Sequence, residues 1–394
     1  MVKQGYKQTE IGVIPEVWDY GVFSNFVKLR HGFQFLEHHF SSSGVPVIKI
    51  GTLKDSGGID VNKFTFVSED IFEKFKSIQL FKGDVVMALT GATLGKVSKV
   101  DYNERCLQNY RVGLFNGKEG VDNNFIYHIL QSFLVQKTVK ELVNSGAQPN
   151  LGKADFDKII IPLPPLAEQE AIAKALSDAD AWIESLEQLI AKKRLIKQGA
   201  MQTLLTPQED WEVKKLGDYV KFQTGFPFSS EFFNTKMIGE RLIKNRDLRS
   251  DDSIFYYSGE FKKDFIVNNE DLLIGMDGDF EPVLWKKGKA LLNQRVGRVL
   301  KLKEISIQYL AYSLIDKLKE IEESTGSTTV KHLSHSDIEN LEYKIPSLSE
   351  QERIATILSD MDAEIEALEQ KLAKAKQIKQ GLMQKLLTGR IRLV

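Results

Sequence analysis

The sequence predicts an α+β protein. Two mixed, strand-rich globular domains are joined by two long helices forming an antiparallel coiled coil, with the halves related by an approximate two-fold axis. Three observations carry this expectation. The string from Leu166 to Pro207 returns from Leu348 to Gly389 at a fixed offset of 182, with about two-thirds of positions identical, far beyond chance. Within each copy the apolar residues recur by sevens, the pattern of a helix with one sticky seam. The rest of the chain carries short Val/Ile/Phe/Tyr runs broken by Gly and Asn, the pattern of strands and turns.

The elements follow in order. Residues 1–162 form the first domain, with runs such as "GVPVIKI" and "KGDVVMAL". Residues 163–207 form a helical spacer: Pro164 and Pro165 precede its helix, Leu176, Ala179, Ile183, Leu186 and Ile190 make the seam, and Pro207 stops it. Residues 208–345 form the second domain, with "EDLLIGM". Residues 346–394 form the C-terminal helical region, opened by the capping box Ser347 and Glu350, lined by Leu358, Met361, Ile365, Leu368 and Leu372, and ended by Gly389. Each helix is about 40 residues, on the order of 60 Å at ~1.5 Å per residue, too long to be buried inside one small domain. The seam then meets Lys193, Lys197 and Lys379, and apolar residues reappear at Ile196, Met201 and Leu205, a slip of register late in the helix. The domains are also distant copies: "WDYGVFSNFVKLRHGFQF" aligns with "WEVKKLGDYVKFQTGFPF", and "NYRVG" from Asn109 with "NQRVG" from Asn293.

Composition limits the possible functions. With 394 residues, 42% of them apolar, the chain can build two ordinary cores. Lys and Arg total 53 against 54 Asp and Glu, so any nucleic-acid surface must be a local patch. Cys106, the single cysteine, has no disulfide or metal partner of its own kind and reads as a packed thiol. No apolar run approaches the ~18 residues of a membrane span, and "MVKQGYKQTE" lacks a signal-like stretch, which points to the cytoplasm.

Catalytic patterns are missing. The only Pro-Pro stands in "PLPPLAEQ", so there is no N/D-P-P-Y/F loop to hold a flipped adenine. "GATLGKV" has three residues between its glycines and Val after Lys96, so it is no P-loop. "EYK" at Glu342 reads as a solvated strand, and the six histidines show no metal-ligand spacing.

Candidate DNA contacts are local. In the first domain they are Lys49 and Lys54 in "IKIGTLKD", Thr90, Thr93 and Lys96 in "TGATLGK", and Gln148, Asn150 and Lys153 in "SGAQPNLGK". In the second they are Lys244, Asn245, Arg246 and Arg249 in "RLIKNRDLRS", Lys286 and Lys287 in "WKKGK", and Thr328, Thr329 and Lys331 in "STGSTTVKHL". Arg and Asn suit base edges and Lys suits phosphates, although each residue taken alone is equally an ordinary exposed group. The repeated helices also present matching polar residues: Glu168, Gln169, Asp178 and Glu184, returning as Glu350, Gln351, Asp360 and Glu366. They are either solvated faces left by duplication or two equivalent surfaces on which two copies of one partner dock.

The paired "PPLAEQExI…LSDAD…IKQGxMQxLLT" segments, the opening "GYKQTEIGVIPEVW" and the closing "LLTGRIRL" resemble, over essentially the whole chain, the specificity (S) subunits of type I restriction-modification systems. The resemblance implies two target recognition domains, each reading half of a bipartite, asymmetric motif in double-stranded DNA. It implies helices that hold two methyltransferase subunits, which bring S-adenosylmethionine and methylate adenine, and motor-nuclease subunits that bring ATP and Mg. The chain itself would carry no catalytic residue, cofactor or metal and would bind no membrane. The rival readings are a coiled-coil adaptor that binds only protein and a stand-alone DNA enzyme.

Overall fold

Leu166–Leu204 and Leu348–Leu386 each form one helix of 39 residues, and the strand-rich segments fold around their ends. The computed structural model describes residues 3–144, 150–278, 280–324 and 332–393. It divides into a first unit, residues 1–189 with 369–394, and a second unit, residues 190–368.

The first unit contains a four-stranded antiparallel sheet in the order Val97–Lys99, Val85–Ala88, Val112–Gly117, Val27–His31. A five-stranded mixed sheet has the order Phe40–Ser41, Thr65–Val67, Val45–Ile48, Cys106–Gln108, Gln79–Leu80. Val45–Ile48 and Cys106–Gln108 run parallel, and all their residues are buried, as parallel pairs require. The second unit repeats both sheets. Pro282–Leu284, Leu272–Gly275, Val296–Lys301 and Val220–Thr224 make the four-stranded one. Phe233–Asn234, Phe255–Tyr257, Glu240–Ile243, Ala290–Leu292 and Ile266–Val267 make the other, again with its third and fourth strands parallel. Each unit closes with a two-stranded ribbon, Asp19–Val22 with Ile160–Leu163 and Glu212–Lys215 with Glu342–Ile345. The "EYK" run is thus an ordinary strand.

The long helices enter the cores. In the first unit Ile172, Ala173 and Leu176, with Leu386 and Leu387, are buried together with Trp18, Phe23, Phe115, Phe125 and Phe156. In the second, Ile354, Ala355 and Leu358 are buried with Trp211, Leu216 and Tyr309, and Met201, Leu204 and Leu205 pack against them. Of the apolar residues after the register slip, Met201 and Leu205 therefore serve a domain core, whereas Ile196 is exposed.

Within each unit the two long helices run antiparallel. In the second, Lys193 Nζ lies 2.7 Å from Glu364 and Lys197 Nζ lies 2.5 Å from Asp362. In the first, Lys376 Nζ lies 2.7 Å from Glu187 and Lys379 Nζ lies 2.5 Å from Asp180. Lys197–Asp362 and Lys379–Asp180 are one pair made twice, with the helices exchanging roles. The lysines that interrupt the heptad seam thus meet acids across it; each half-exposed pair contributes about 0.5–1 kcal/mol.

Candidate nucleic-acid interface

In the second unit three loops meet. The first is the turn Asn245–Leu248 after strand Glu240–Ile243. The buried Asp247 carboxylate closes it by accepting a hydrogen bond from the Lys244 backbone N–H at 2.8 Å, and burial raises the pKa of that carboxyl. Lys244 Nζ sits 3.1 Å from the Phe255 ring centroid and 5.1 Å from that of Phe233. Desolvation there lowers the ammonium's pKa.

The second loop carries Asn293 and Arg295. It is held close by Gly225, where a Cβ would come within 2.1 Å of the Asn293 carbonyl oxygen. The third follows strand Leu272–Gly275 and carries Asp277. Its carboxylate takes Arg295 Nη1 at 3.2 Å and His332 Nδ1 at 2.9 Å, and its carbonyl accepts from Asn245 Nδ2 at 2.5 Å. Lys244, Asn245, Arg246, Asp277, Asn293 and Arg295 together line a concavity of about 470 Å³. Three cations and two carboxamides around one carboxylate make it an anion-favouring, hydrogen-bonding surface. Arg249, 3.5 Å from Glu281, lines a neighbouring hollow of about 320 Å³ with Asn245 and Arg246.

The first unit builds the same framework. Turn Ile50–Thr52 is closed by Thr52 Oγ1, which accepts from the Lys49 N–H at 3.2 Å. Lys49 Nζ lies 3.7 Å from the Phe40 ring centroid. Gly32 packs on the Gln108 carbonyl oxygen, to which its Cβ would come within 2.2 Å, as Gly225 packs on that of Asn293. Thr90 bridges by backbone to the exposed Asn150, and Lys153 is exposed at the start of helix Lys153–Phe156. The Thr90 and Thr93 hydroxyls are buried without a hydrogen-bond partner among the described residues.

Other candidates separate from this group. Lys96 pairs with Asp55 at 2.6 Å and lines a different concavity, about 740 Å³, together with Glu184, Glu187 and Lys379; Lys54 lines an adjoining one with Asp180 and Glu184. Lys287 is committed inward, donating to the Asp247 carbonyl and to Asp251, each at 3.0 Å. Asp251 also takes Arg241 at 2.5 Å, whose guanidinium lies 5.0 Å from the Trp285 ring centroid, so Arg241 and Lys287 brace the turn instead of reaching out. Lys286 is exposed. Gln148, Thr328, Thr329 and Lys331 lie outside the described residues.

Three docking candidates require correction. Glu168, Gln169 and Gln351 are buried, because the first turn of each long helix is sunk in a core and its polar side chains serve neighbouring backbone and ring N–H groups. Glu168 accepts from Trp18 Nε1 at 2.8 Å and from Arg392 Nη2 at 2.7 Å. Gln169 accepts from the Asp122 N–H at 2.9 Å and donates to the Pro164 carbonyl at 2.8 Å. Gln351 does the same with Ser306 and Pro346, both at 2.9 Å. None of the three is available to a partner. Asp178 is exposed and paired with Lys174, Glu350 is paired with Arg353, and Glu184, Asp360 and Glu366 are exposed.

Sequence reasoning did not single out Asp277 and Arg295, which line the concavity, or Arg111, which is exposed two residues after Asn109 with its Nε donating to the Tyr110 hydroxyl at 2.7 Å. The signal for the two arginines was present in the doubled N-x-R-V-G string, which served only as evidence of duplication. Among the described residues no three His, Cys, Asp or Glu side chains are grouped to hold a metal. Cys106 is buried, and burial pushes its thiol up to about 12.

Residues 15–193 and 208–377 each match the family model described as the type I restriction modification DNA specificity domain. The MjaVIII type I restriction enzyme specificity subunit of Methanocaldococcus jannaschii is 26% identical over 433 residues, spanning 99% of this chain and 97% of its own length. The EcoBI type I restriction enzyme specificity subunit of Escherichia coli is 33% identical over 204 residues, 50% of this chain and 43% of that protein. The crystal structure of a type I restriction-modification system S subunit from M. genitalium shares the fold, with a TM-score of 0.63 at 16% identity over 94% of this chain and 96% of that one. Two matches that together span most of a duplicated chain establish that it belongs to the type I restriction-modification specificity family, as a specificity subunit with two target recognition domains.

Proposed function

We propose that each unit reads one half of a bipartite, asymmetric motif in double-stranded DNA, that the long helices act as the spacer between the two readers, and that the complex works in the cytoplasm. The repeated acidic residues that stay exposed, Asp178 with Glu184 and Asp360 with Glu366, give two methyltransferase subunits equivalent docking surfaces. Motor-nuclease subunits join through that complex. S-adenosylmethionine, ATP and Mg belong to those partners, and this chain directs their chemistry without performing it. One observation carries the reading: the two units place the same loops in the same positions and fill them with different side chains.

The test is an exchange of residues 190–368 for the corresponding unit of another family member, co-expressed with the methyltransferase subunit. Methylation sequencing should show one half of the motif changed and the other intact. A change in both halves, or in neither, refutes separate reading. The isolated chain should transfer no tritiated methyl group from S-adenosylmethionine to DNA. The spacer role has its own test: four residues inserted between Lys192 and Ile196 add about 6 Å and turn the helix by about 40°. DNA advances ~3.4 Å and turns about 34° per base pair, so the insertion should lengthen the motif's nonspecific spacer by one or two base pairs.

A further inference from the structure

The duplication allows the reading surface to be sorted position by position. Each equivalence rests on its own structural marker. Lys49 and Lys244 each precede the capped turn and lie over a ring. Asn109 and Asn293 bridge Phe33 and Phe226. Thr90 and Asp277 bridge Asn150 and His332. It follows that Arg111 matches Arg295, two residues after the asparagines, while Ile50 and Gly51 match Asn245 and Arg246, directly after the lysines. The spatial neighbours agree. Ile50 Cδ1 would lie 3.3 Å from a Cβ on Gly91, and Asn245 contacts the equivalent loop through the Asp277 carbonyl.

Two classes emerge. Lys, Asn and Arg recur in both units, whereas Ile50-Gly51 and Thr90 become Asn245-Arg246 and Asp277. The asparagines close their own turns, Asn109 accepting from the Arg111 N–H at 3.2 Å and Asn293 from the Gln294 N–H at 2.9 Å, while cations kept at equivalent points of two domains that read different sequences suit what is common to both, the sugar-phosphate backbone. Side chains that differ are placed to serve the bases.

We propose that the turn after the strand-end lysine is the base-reading element of each domain, with Arg246 taking a guanine edge in the second half-site and Arg295 and Arg111 gripping phosphate. The inference rests on the DNA-reading function proposed above and assigns its chemistry. Arg246 is exposed at the rim of the 470 Å³ concavity. Its only acidic contact among those described is Asp247 at 3.7 Å, so its fork is open to the paired O6 and N7 acceptors of guanine in the major groove. Arg295 is half-tethered by Asp277 and is aimed rather than free. In the first unit Ile50 packs against the core around Ile48 and Leu53, and Gly51 has no side chain to donate, so this turn lacks the arginine fork of the second.

The experiment uses the complex with its methyltransferase subunit and reads the methylated motif by sequencing. Arg246→Ala and Arg246→Lys should each relax one guanine of the second half-site by about 10-fold or more, with the first half-site unchanged. The Lys variant keeps the charge and removes the fork. Gly51→Arg, where an added Cβ meets nothing within 4 Å, should install a new preference in the first half-site alone. Arg295→Ala should weaken binding equally for all sequences and reduce the salt slope by about 1. An unchanged motif in both Arg246 variants, or an altered base preference in Arg295→Ala, overturns the assignment. Neither result touches the broader reading, which fails only if the unit exchange leaves both half-sites as they were or changes both.

Discussion

The two units solve one packing problem differently where a short helix meets a long one. Counting from the capping residues Asp122 and Ser306, the sixth residue is His128 in the first unit and Tyr312 in the second. Tyr312 donates its hydroxyl to Asp362 at 2.7 Å, beside the Lys197 that pairs with the same carboxylate. His128 is completely buried. Its Nε2 lies 3.1 Å from Ser177 Oγ, but its Nδ1 is 3.9 Å from Asp180, beyond hydrogen-bond reach. Among the described residues, both Nδ1 and Asp180 Oδ2 lack a hydrogen-bond partner. Burial first, then Lys379 and Lys99, push the imidazole down to about 3. The lesson is that duplication preserved the carboxylate–lysine pair between the helices and left the domain-side contact free to change, at a cost in the first unit.

The comparison can be broken most sharply at another repeated position. Glu168→Ala removes a buried carboxylate and strands Arg392 and the Trp18 indole, and should cost about 3 kcal/mol. Its counterpart Glu350→Ala loses only a partly exposed contact to Arg353 and should cost under about 0.5 kcal/mol. Urea denaturation followed by tryptophan fluorescence compares them, and equal losses would show that the two helix starts are energetically alike.

Acid should single out the first unit. His128 has a folded pKa below its unfolded value, so the unfolded chain takes up the proton first. The group's stabilisation is complete above about pH 6.5 and is lost as the pH falls toward 3. Between pH 7 and pH 5 the loss should be about 2 kcal/mol. His128→Tyr, which installs the second unit's residue, should flatten that dependence in denaturation midpoints measured at both pH values.

Smaller effects sharpen the contrast. Tyr312→Phe should cost about 1.5 kcal/mol by removing a hydrogen bond to a charged acceptor, with denaturation again the readout. A double-mutant cycle on Lys197 and Asp362 should give a coupling of about 0.5–1 kcal/mol that shrinks with added salt. Lys379 and Asp180 should couple in the same range, with Asp362 also accepting from Tyr312 and Lys379 also donating to Gln131.

Much of this was legible in the sequence. The offset of 182 and the apolar sevens marked two long helices, the capping residues marked their ends, and the Val-rich runs marked strands. The inward turn of Glu168, Gln169 and Gln351 was not legible, because a polar residue in a first helical turn looks the same whether it faces water or satisfies a neighbouring loop. The parallel pairing of Val45–Ile48 with Cys106–Gln108 joins segments far apart in the chain, and no local pattern specifies it. The second unit's concavity is hidden for the same reason: Arg246, Asp277 and Arg295 come from three separate loops, and only the folded second unit collects them.

The sinking of helix starts into cores bears on how modular this protein is. Ile354, Ala355 and Leu358 plug the second unit's core, so a domain excised at the loops near residues 207 and 345 leaves its plug behind. A transplant cut there would seat a foreign sheet on a native plug and could fail through poor fit before recognition was ever tested. Crossovers placed inside the helices, near residues 189 and 368, carry sheet and plug together. The compact unit of this molecule is a domain with its own stretch of helix, and its boundaries lie in mid-helix.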